Sequence, residues 1–175
     1  KLLRLNKLDC KKGVITMSAG NHSQGLAYGS KVLKIPSYIV MPDTVPFTKV
    51  RKTSALGSKV YIKGANLLES ESYVDKLVQE KGYIKIHPYN DYDIISGQGT
   101  LMLEMLEDTS SLDILIVPVG GGGLLAGCSL VAKSINKNIR IIAVESNLFP
   151  SFYNKYYNKN LICGGATIAE GVAVT

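Results

Sequence analysis

Short aliphatic and β-branched runs alternate along this chain with longer segments whose apolar residues recur every three or four positions. The first pattern belongs to strands and the second to amphipathic helices. Residues 14–17 read as a strand and 21–33 as a helix. Residues 37–41 read as a strand stopped by Pro42, and 46–56 as a helix with Pro46 in its first turn and Gly57 as its stop. A strand over 59–62, a helix over 67–81 closed by Gly82, and a strand over 83–86 ending at His87-Pro88 follow. Residues 91–107 are mostly helical, and 114–117, 124–134 and 140–144 make one more β-α-β unit. The alternation predicts an α/β fold with parallel sheets and helices on both faces. The Pro- and Asn-containing passage from His87 to Asp93 reads as a lobe boundary.

In such sheets ligands sit at the carboxyl ends of the strands. Two glycine-rich segments fall there. The more informative is the run Gly120-Gly121-Gly122-Gly123 between the apolar strand and a helix opening at Leu124. Four flexible residues in a row are costly to order. Without Cβ atoms their amides can approach an anion closely, and the helix start adds partial positive charge. A phosphate site is therefore expected.

The second segment is Ser18-Ala19-Gly20-Asn21-His22-Ser23-Gln24-Gly25. Its amides suit a carboxylate, and Asn21 can donate or accept a hydrogen bond. The plainer alternative is a helix cap made by Ser18 or Asn21. Gly121-x-Gly123-x-x-Ala126, with Glu145 after the next strand, also fits a dinucleotide-binding pattern. Against that stand the alternation continuing from upstream, the stiffening Pro118, and the unexplained Ser18–Gly25 segment. No P-loop pattern is present.

Composition narrows the picture. The 175 residues are 46% hydrophobic with mean hydropathy +0.12, enough for a real core in one domain or two small lobes. The apolar runs fall far short of a membrane span. Net charge is +6, spread along the chain, and aromatic residues are only 7%, so nucleic-acid binding is not expected. Cys10, Cys128 and Cys163 have neither metal nor redox spacing. Their odd number, without a secretory signal, points to a reducing, cytoplasmic setting. Cys128, in an apolar helix, reads as core packing. His22 and His87 form no metal motif. The chain opens on Lys1 rather than Met and closes on a strand-like Gly171-Val172-Ala173-Val174-Thr175 without a cap, so an incomplete fragment of a longer protein is expected.

Taken together, Ser18-Ala19-Gly20-Asn21-His22, Val40-Met41-Pro42, Lys49-Val50, Gly97-Gln98-Gly99-Thr100, Pro118-Val119 with the four glycines and Leu124-Leu125-Ala126-Gly127, Glu145, and Thr167-Ile168-Ala169-Glu170-Gly171-Val172 resemble, in order, the threonine dehydratases. These are also called threonine ammonia-lyases, and they belong with serine racemase to the fold-type-II (tryptophan synthase beta-like) pyridoxal-phosphate enzymes. The resemblance covers nearly the whole chain. It implies two lobes: residues 13–89 as the small lobe, 90–175 as part of the large cofactor-binding lobe, and 1–12 as a helix belonging to or bridging the large one.

The resemblance further implies pyridoxal 5'-phosphate between the lobes. Its phosphate would be held by Gly120, Gly121, Gly122, Gly123 and Leu124, and its 3′ oxygen by Asn21. The substrate carboxylate would be held by Ser18, Ala19, Gly20, Asn21 and His22. The implied reaction takes L-threonine, or L-serine, to 2-oxobutyrate, or pyruvate, and ammonia by α,β-elimination of water, in a cytoplasmic homo-oligomer (dimer or tetramer) of isoleucine biosynthesis when full length. A small-molecule amino acid is the partner, with no nucleic acid and no membrane.

Three departures qualify this. Serine racemases carry a serine where this chain has Ala19, and a methyl group cannot exchange a proton. Their acidic cation site would need a carboxylate six residues after Glu145, where Ser151 stands, so no metal is expected and Glu145 is a weak candidate. The resemblance implies a cofactor-bearing Schiff-base lysine upstream of Lys1, so no catalytic residue is expected within the chain, which alone would be inactive. The resemblance likewise implies a ring-nitrogen partner beyond Thr175. Racemases and other fold-type-II enzymes, and a non-catalytic ligand-binding remnant, are the alternatives.

Overall fold

The computed structural model describes residues 1–109 and 111–174. The chain forms two compact units, Lys1–Pro88 and Tyr89–Thr175.

The first unit opens with a 3₁₀ turn, Leu2–Arg4, and helix α1, Lys7–Lys12, whose first turn Asn6 caps by accepting from Asp9 N–H at 2.9 Å. Strand β1 (Val14–Met17), helix α2 (Asn21–Leu33), strand β2 (Ser37–Met41), helix α3 (Phe47–Ala55), strand β3 (Lys59–Ile62), helix α4 (Leu67–Lys81) and strand β4 (Ile84–Lys85) follow. The strands form one parallel sheet in the order β3-β2-β1-β4. On one face Ile15 and Val40 pack with Val74 and Leu77 of α4, beside Tyr38, Tyr61 and Tyr73. Residues of opposite parity, Val14, Thr16, Ile39 and Met41, are equally buried, so both faces are covered, as parallel sheets require. Gly82 ends α4 in the left-handed region (φ 69°), where its N–H donates to Val78 C=O.

In the second unit Asp91 caps helix α5 (Tyr92–Asp108), accepting from Asp93 N–H at 2.9 Å. Strand β5 (Ile114–Pro118), helix α6 (Gly123–Ile135), strand β6 (Arg140–Val144), helix α7 (Ser151–Tyr157) and a 3₁₀ turn at Glu170–Val172 complete it. Strands β5 and β6 pair in parallel, from Ile114 opposite Arg140 to Pro118 opposite Val144. Met102, Leu115, Val117, Cys128, Ala132 and Ile139 form the core. Burial pushes the Cys128 thiol above its ordinary pKa, as befits a packing residue.

Helices α5 and α6 cross where two glycines meet. A Cβ at Gly127 would lie 2.3 Å from Ile95 C=O and 2.6 Å from Gly99 N, so only hydrogens allow this approach. The GQGT segment thus sits inside α5, with Gly99 at the crossing.

Several sequence expectations need correction. Pro46 is the residue before α3 and not part of its first turn, because its backbone is extended (ψ 133°). The strand over 83–86 shortens to Ile84–Lys85, although Ile86 N–H still donates to Ile15 C=O. Helix α6 begins one residue earlier, at Gly123. The segment Gly171–Val174 is not a strand: Val172 N–H donates back to Ala169 C=O in the 3₁₀ turn. Thr175 lies outside the described residues. Helix α7 was not anticipated. Among the described residues no helix is long and apolar enough to cross a membrane.

Candidate functional site

Among the described residues, two helices start directly after a parallel strand with glycine at the cap and no capping side chain: α2 after β1, and α6 after β5. By contrast Asn6, Asn66 and Asp91 cap α1, α4 and α5 with their own oxygens. First-turn N–H groups without a capping side chain, on bare glycine backbone, suit an anion.

At α2 the ladder continues past β1, as Ser18 N–H donates to Val40 C=O at 3.2 Å. Ser18 Oγ then accepts from Gly20 N–H at 3.2 Å, a tight local turn. Ser23 Oγ donates to Gly20 C=O at 2.6 Å, which fixes the cap carbonyl. Ser23 is fully buried and lies 3.5 Å from the buried Thr53 hydroxyl of α3. The helix-cap alternative for Ser18 and Asn21 fails: Gly20 is the cap residue, Ser18 serves the turn before it, and Asn21 is an exposed first helical residue. Ala19 is half-buried.

His22 lies 3.4 Å through Nε2 from Ile86 C=O, which places its proton on that nitrogen. Burial pushes its pKa below the ordinary histidine value, the carbonyl works the other way, and His87 nearby lowers it further. His22 is therefore neutral at pH 7, and any carboxylate affinity at this segment comes from amides rather than an imidazolium.

At α6 the strand also runs on, as Val119 N–H donates to Val144 C=O at 2.8 Å. Gly122, the cap, has φ 85° and ψ −8°, a conformation that strains any residue with a Cβ. The first helical bond is Ala126 N–H to Gly122 C=O at 2.9 Å. The other three glycines are hemmed in by protein. A Cβ at Gly121 would lie 2.2 Å from the Tyr89 ring, and one at Gly123 would lie 2.9 Å from Tyr89 Cβ. At Gly120 it would meet Val172 Cα at 3.1 Å and Val174 at 3.2 Å. Leu124, next in line, is half-buried. Tyr89 and Val172 thus shape the loop. Sequence reasoning missed both: Val172 entered it only within a family-like motif, and Tyr89 only within the boundary passage.

Glu145 follows β6 and is fully engaged. Its two carboxylate oxygens accept from Phe152 and Tyr153 N–H at 2.7 Å each, which starts α7. Helix α7 in turn brings Phe152 to within 3.9 Å of where a Gly122 Cβ would stand. Among the described residues no cluster of three His, Cys, Asp or Glu is placed to hold a metal.

The family described as "Pyridoxal-phosphate dependent enzyme" matches residues 1–175. The chain is 42% identical over 178 aligned residues to the L-threonine dehydratase catabolic TdcB of Staphylococcus aureus, covering 99% of this chain and 51% of that protein. Among solved structures, the processed form of threonine deaminase isoform 2 from Solanum lycopersicum superposes with a TM-score of 0.90 at 35% identity, over 99% of this chain and 51% of the other. Maize serine racemase superposes with a TM-score of 0.89 at 37% identity, over 97% and 52%. The chain spans about half the length of the relatives it matches.

Proposed function

Because this chain belongs to the pyridoxal-phosphate-dependent enzymes, matched along residues 1–175, we propose that the polypeptide carrying it deaminates L-threonine to 2-oxobutyrate and ammonia, and L-serine to pyruvate and ammonia. The observation that carries the proposal is the pair of glycine-capped helix starts, each without a capping side chain, at the ends of β1 and β5. Each such start suits an anionic group, such as a phosphate or a carboxylate.

The tetraglycine loop fits the cofactor's phosphate. It combines a helix N-terminus with backbone that Cβ atoms could not occupy, and the first turn of α6 carries no acidic residue. The amides of Gly120, Gly121, Gly122, Gly123 and Leu124 would hold the dianion. Asn21, exposed at the start of α2, would hold the 3′ oxygen. The segment Ser18, Ala19, Gly20, Asn21 and His22 would bind the amino acid's carboxylate, with Gly20 kept in place by Ser18 and Ser23. Bound pyridoxal phosphate supplies an electron sink that makes loss of the substrate's Cα proton feasible. The lysine that anchors the cofactor would belong to the part of the polypeptide outside this chain.

The likeness to serine racemase favours a second activity, interconversion of L- and D-serine. Ala19 weighs against it, since a methyl group neither gives nor takes a proton. Incubating the full-length polypeptide with pyridoxal phosphate and L-threonine is the test. Formation of 2-oxobutyrate supports the proposal. D-serine from L-serine without keto acid would select the racemase, and cofactor binding without any turnover would select a binding remnant.

A further inference from the structure

Two of the four glycines answer to one residue, Tyr89. The Tyr89 ring occupies the place of a Gly121 side chain, with Cδ1, Cγ and Cε1 at 2.2–2.4 Å from where its Cβ would stand. Tyr89 Cβ, Cα and C=O lie 2.9–3.1 Å from the corresponding point at Gly123. One residue therefore touches the loop at alternate positions, on both sides of the left-handed Gly122. Tyr89 is itself held. It lies two residues before Asp91, which caps α5, and α5 is locked against α6 at Gly99 and Gly127. The half-buried Tyr89 thus links the α5 start to the α6 start.

We propose that Tyr89 is a positioning residue for the phosphate loop: its ring and backbone fix the path of Gly121–Gly123 and so keep the α6 amides aimed at the cofactor's phosphate. The inference rests on the phosphate assignment made above and adds to it the residue that sets the loop's shape. A loop of four glycines samples many conformations when nothing bears on it. A rigid aromatic plate against it removes that freedom before the ligand arrives, which raises affinity without a new ligand contact. The ring acts here through its shape, which Tyr89→Phe keeps.

The test titrates the full-length polypeptide with three probes, pyridoxal phosphate, pyridoxal and inorganic phosphate, read by cofactor fluorescence or by competition. Tyr89→Phe is expected to bind pyridoxal phosphate within about twofold of wild type. Tyr89→Ala is expected to lose about tenfold or more for pyridoxal phosphate and inorganic phosphate, while pyridoxal, which lacks the phosphate, is unchanged. That order of loss is about 1.4 kcal/mol, the scale of ordering one or two loop residues. Gly121→Ala alone is expected to bind poorly because its methyl strikes the ring. The Gly121→Ala, Tyr89→Ala double variant, with the ring removed, is expected to bind better than Gly121→Ala. The proposal is overturned if Tyr89→Ala binds pyridoxal phosphate like wild type, if pyridoxal weakens equally, or if the double variant recovers nothing. Gly122→Asp separates the two levels. A loss there with normal binding in Tyr89→Ala sinks only the role of Tyr89, whereas normal binding in both sinks the phosphate assignment itself.

Discussion

Exchanging Gly127 for alanine puts a methyl group into the crossing of α5 and α6, where no room exists. Its carbon would stand 2.3 Å from Ile95 C=O, 2.6 Å from Gly99 N and 3.1 Å from Gln98 C. All three are backbone atoms of α5, so no side chain can swing aside. Restoring a normal separation of ~3.5 Å requires the helices to part by about 1 Å. Parting loosens the core formed by Met102, Cys128 and Ala132 on the same pair of helices. Overpacking costs about 1–3 kcal/mol, and a backbone clash belongs at the upper end. Alanine returns up to ~1 kcal/mol through its better helix propensity. The net expectation is a destabilisation of about 2 kcal/mol.

Gly97 supplies the internal control. It lies in α5 with no atom within 4 Å of its would-be Cβ. The same substitution there carries only the propensity gain and is expected to stabilise by about 0.5–1 kcal/mol. Urea unfolding followed by circular dichroism, with unchanged slope, reads both. Opposite signs support the glycine crossing. Shifts of the same sign would refute it, because the methyl at Gly127 would then have met nothing.

Two other expectations follow from the site. Burial depresses the His22 pKa, so the stability it contributes is fully present above the unfolded value of 6.5 and is lost as pH falls through the lower folded value. Each pK unit of depression corresponds to about 1.4 kcal/mol. Urea unfolding at pH 7.5 and pH 5 is therefore expected to show a larger acid loss in wild type than in His22→Gln, and an equal loss would count against a buried neutral imidazole. Glu145→Ala removes the acceptor of the Phe152 and Tyr153 amides. Losing these charge-assisted bonds is expected to cost about 1–3 kcal/mol locally. Hydrogen exchange within Ser151–Tyr157 should accelerate while the β5 and β6 amides stay protected, and unchanged exchange at Phe152 would show that the carboxylate does not hold the helix.

The alternation of strand and helix was legible because each element carries its own pattern and stop signal, as in Leu67–Lys81 with Gly82. Helix α7 was not, because Ser-Phe-Tyr-Asn-Lys-Tyr-Tyr has no local capping side chain, and a seven-residue helix is not stable on its own. Its amides are held by Glu145, six residues before its start, a tertiary bond that no periodicity reports. The end of the chain misled for a related reason: Gly171-Val172-Ala173-Val174 is β-like in composition, yet Val172 and Val174 press on Gly120 instead of pairing with a strand. The tetraglycine run was legible as a special backbone. What it could not reveal was that Tyr89 and Val172 fill the space the missing side chains leave. Likewise Gly99 and Gly127 stood out only as motif letters until the helices they join were seen to cross there.

The crystal structure of the full-length polypeptide loaded with pyridoxal phosphate tests the central claim most directly. The expected result is a phosphate whose oxygens lie ~3 Å from the backbone nitrogens of Gly120–Leu124, at the start of α6. A phosphate seated on any other segment, with those five nitrogens left to solvent, would contradict it.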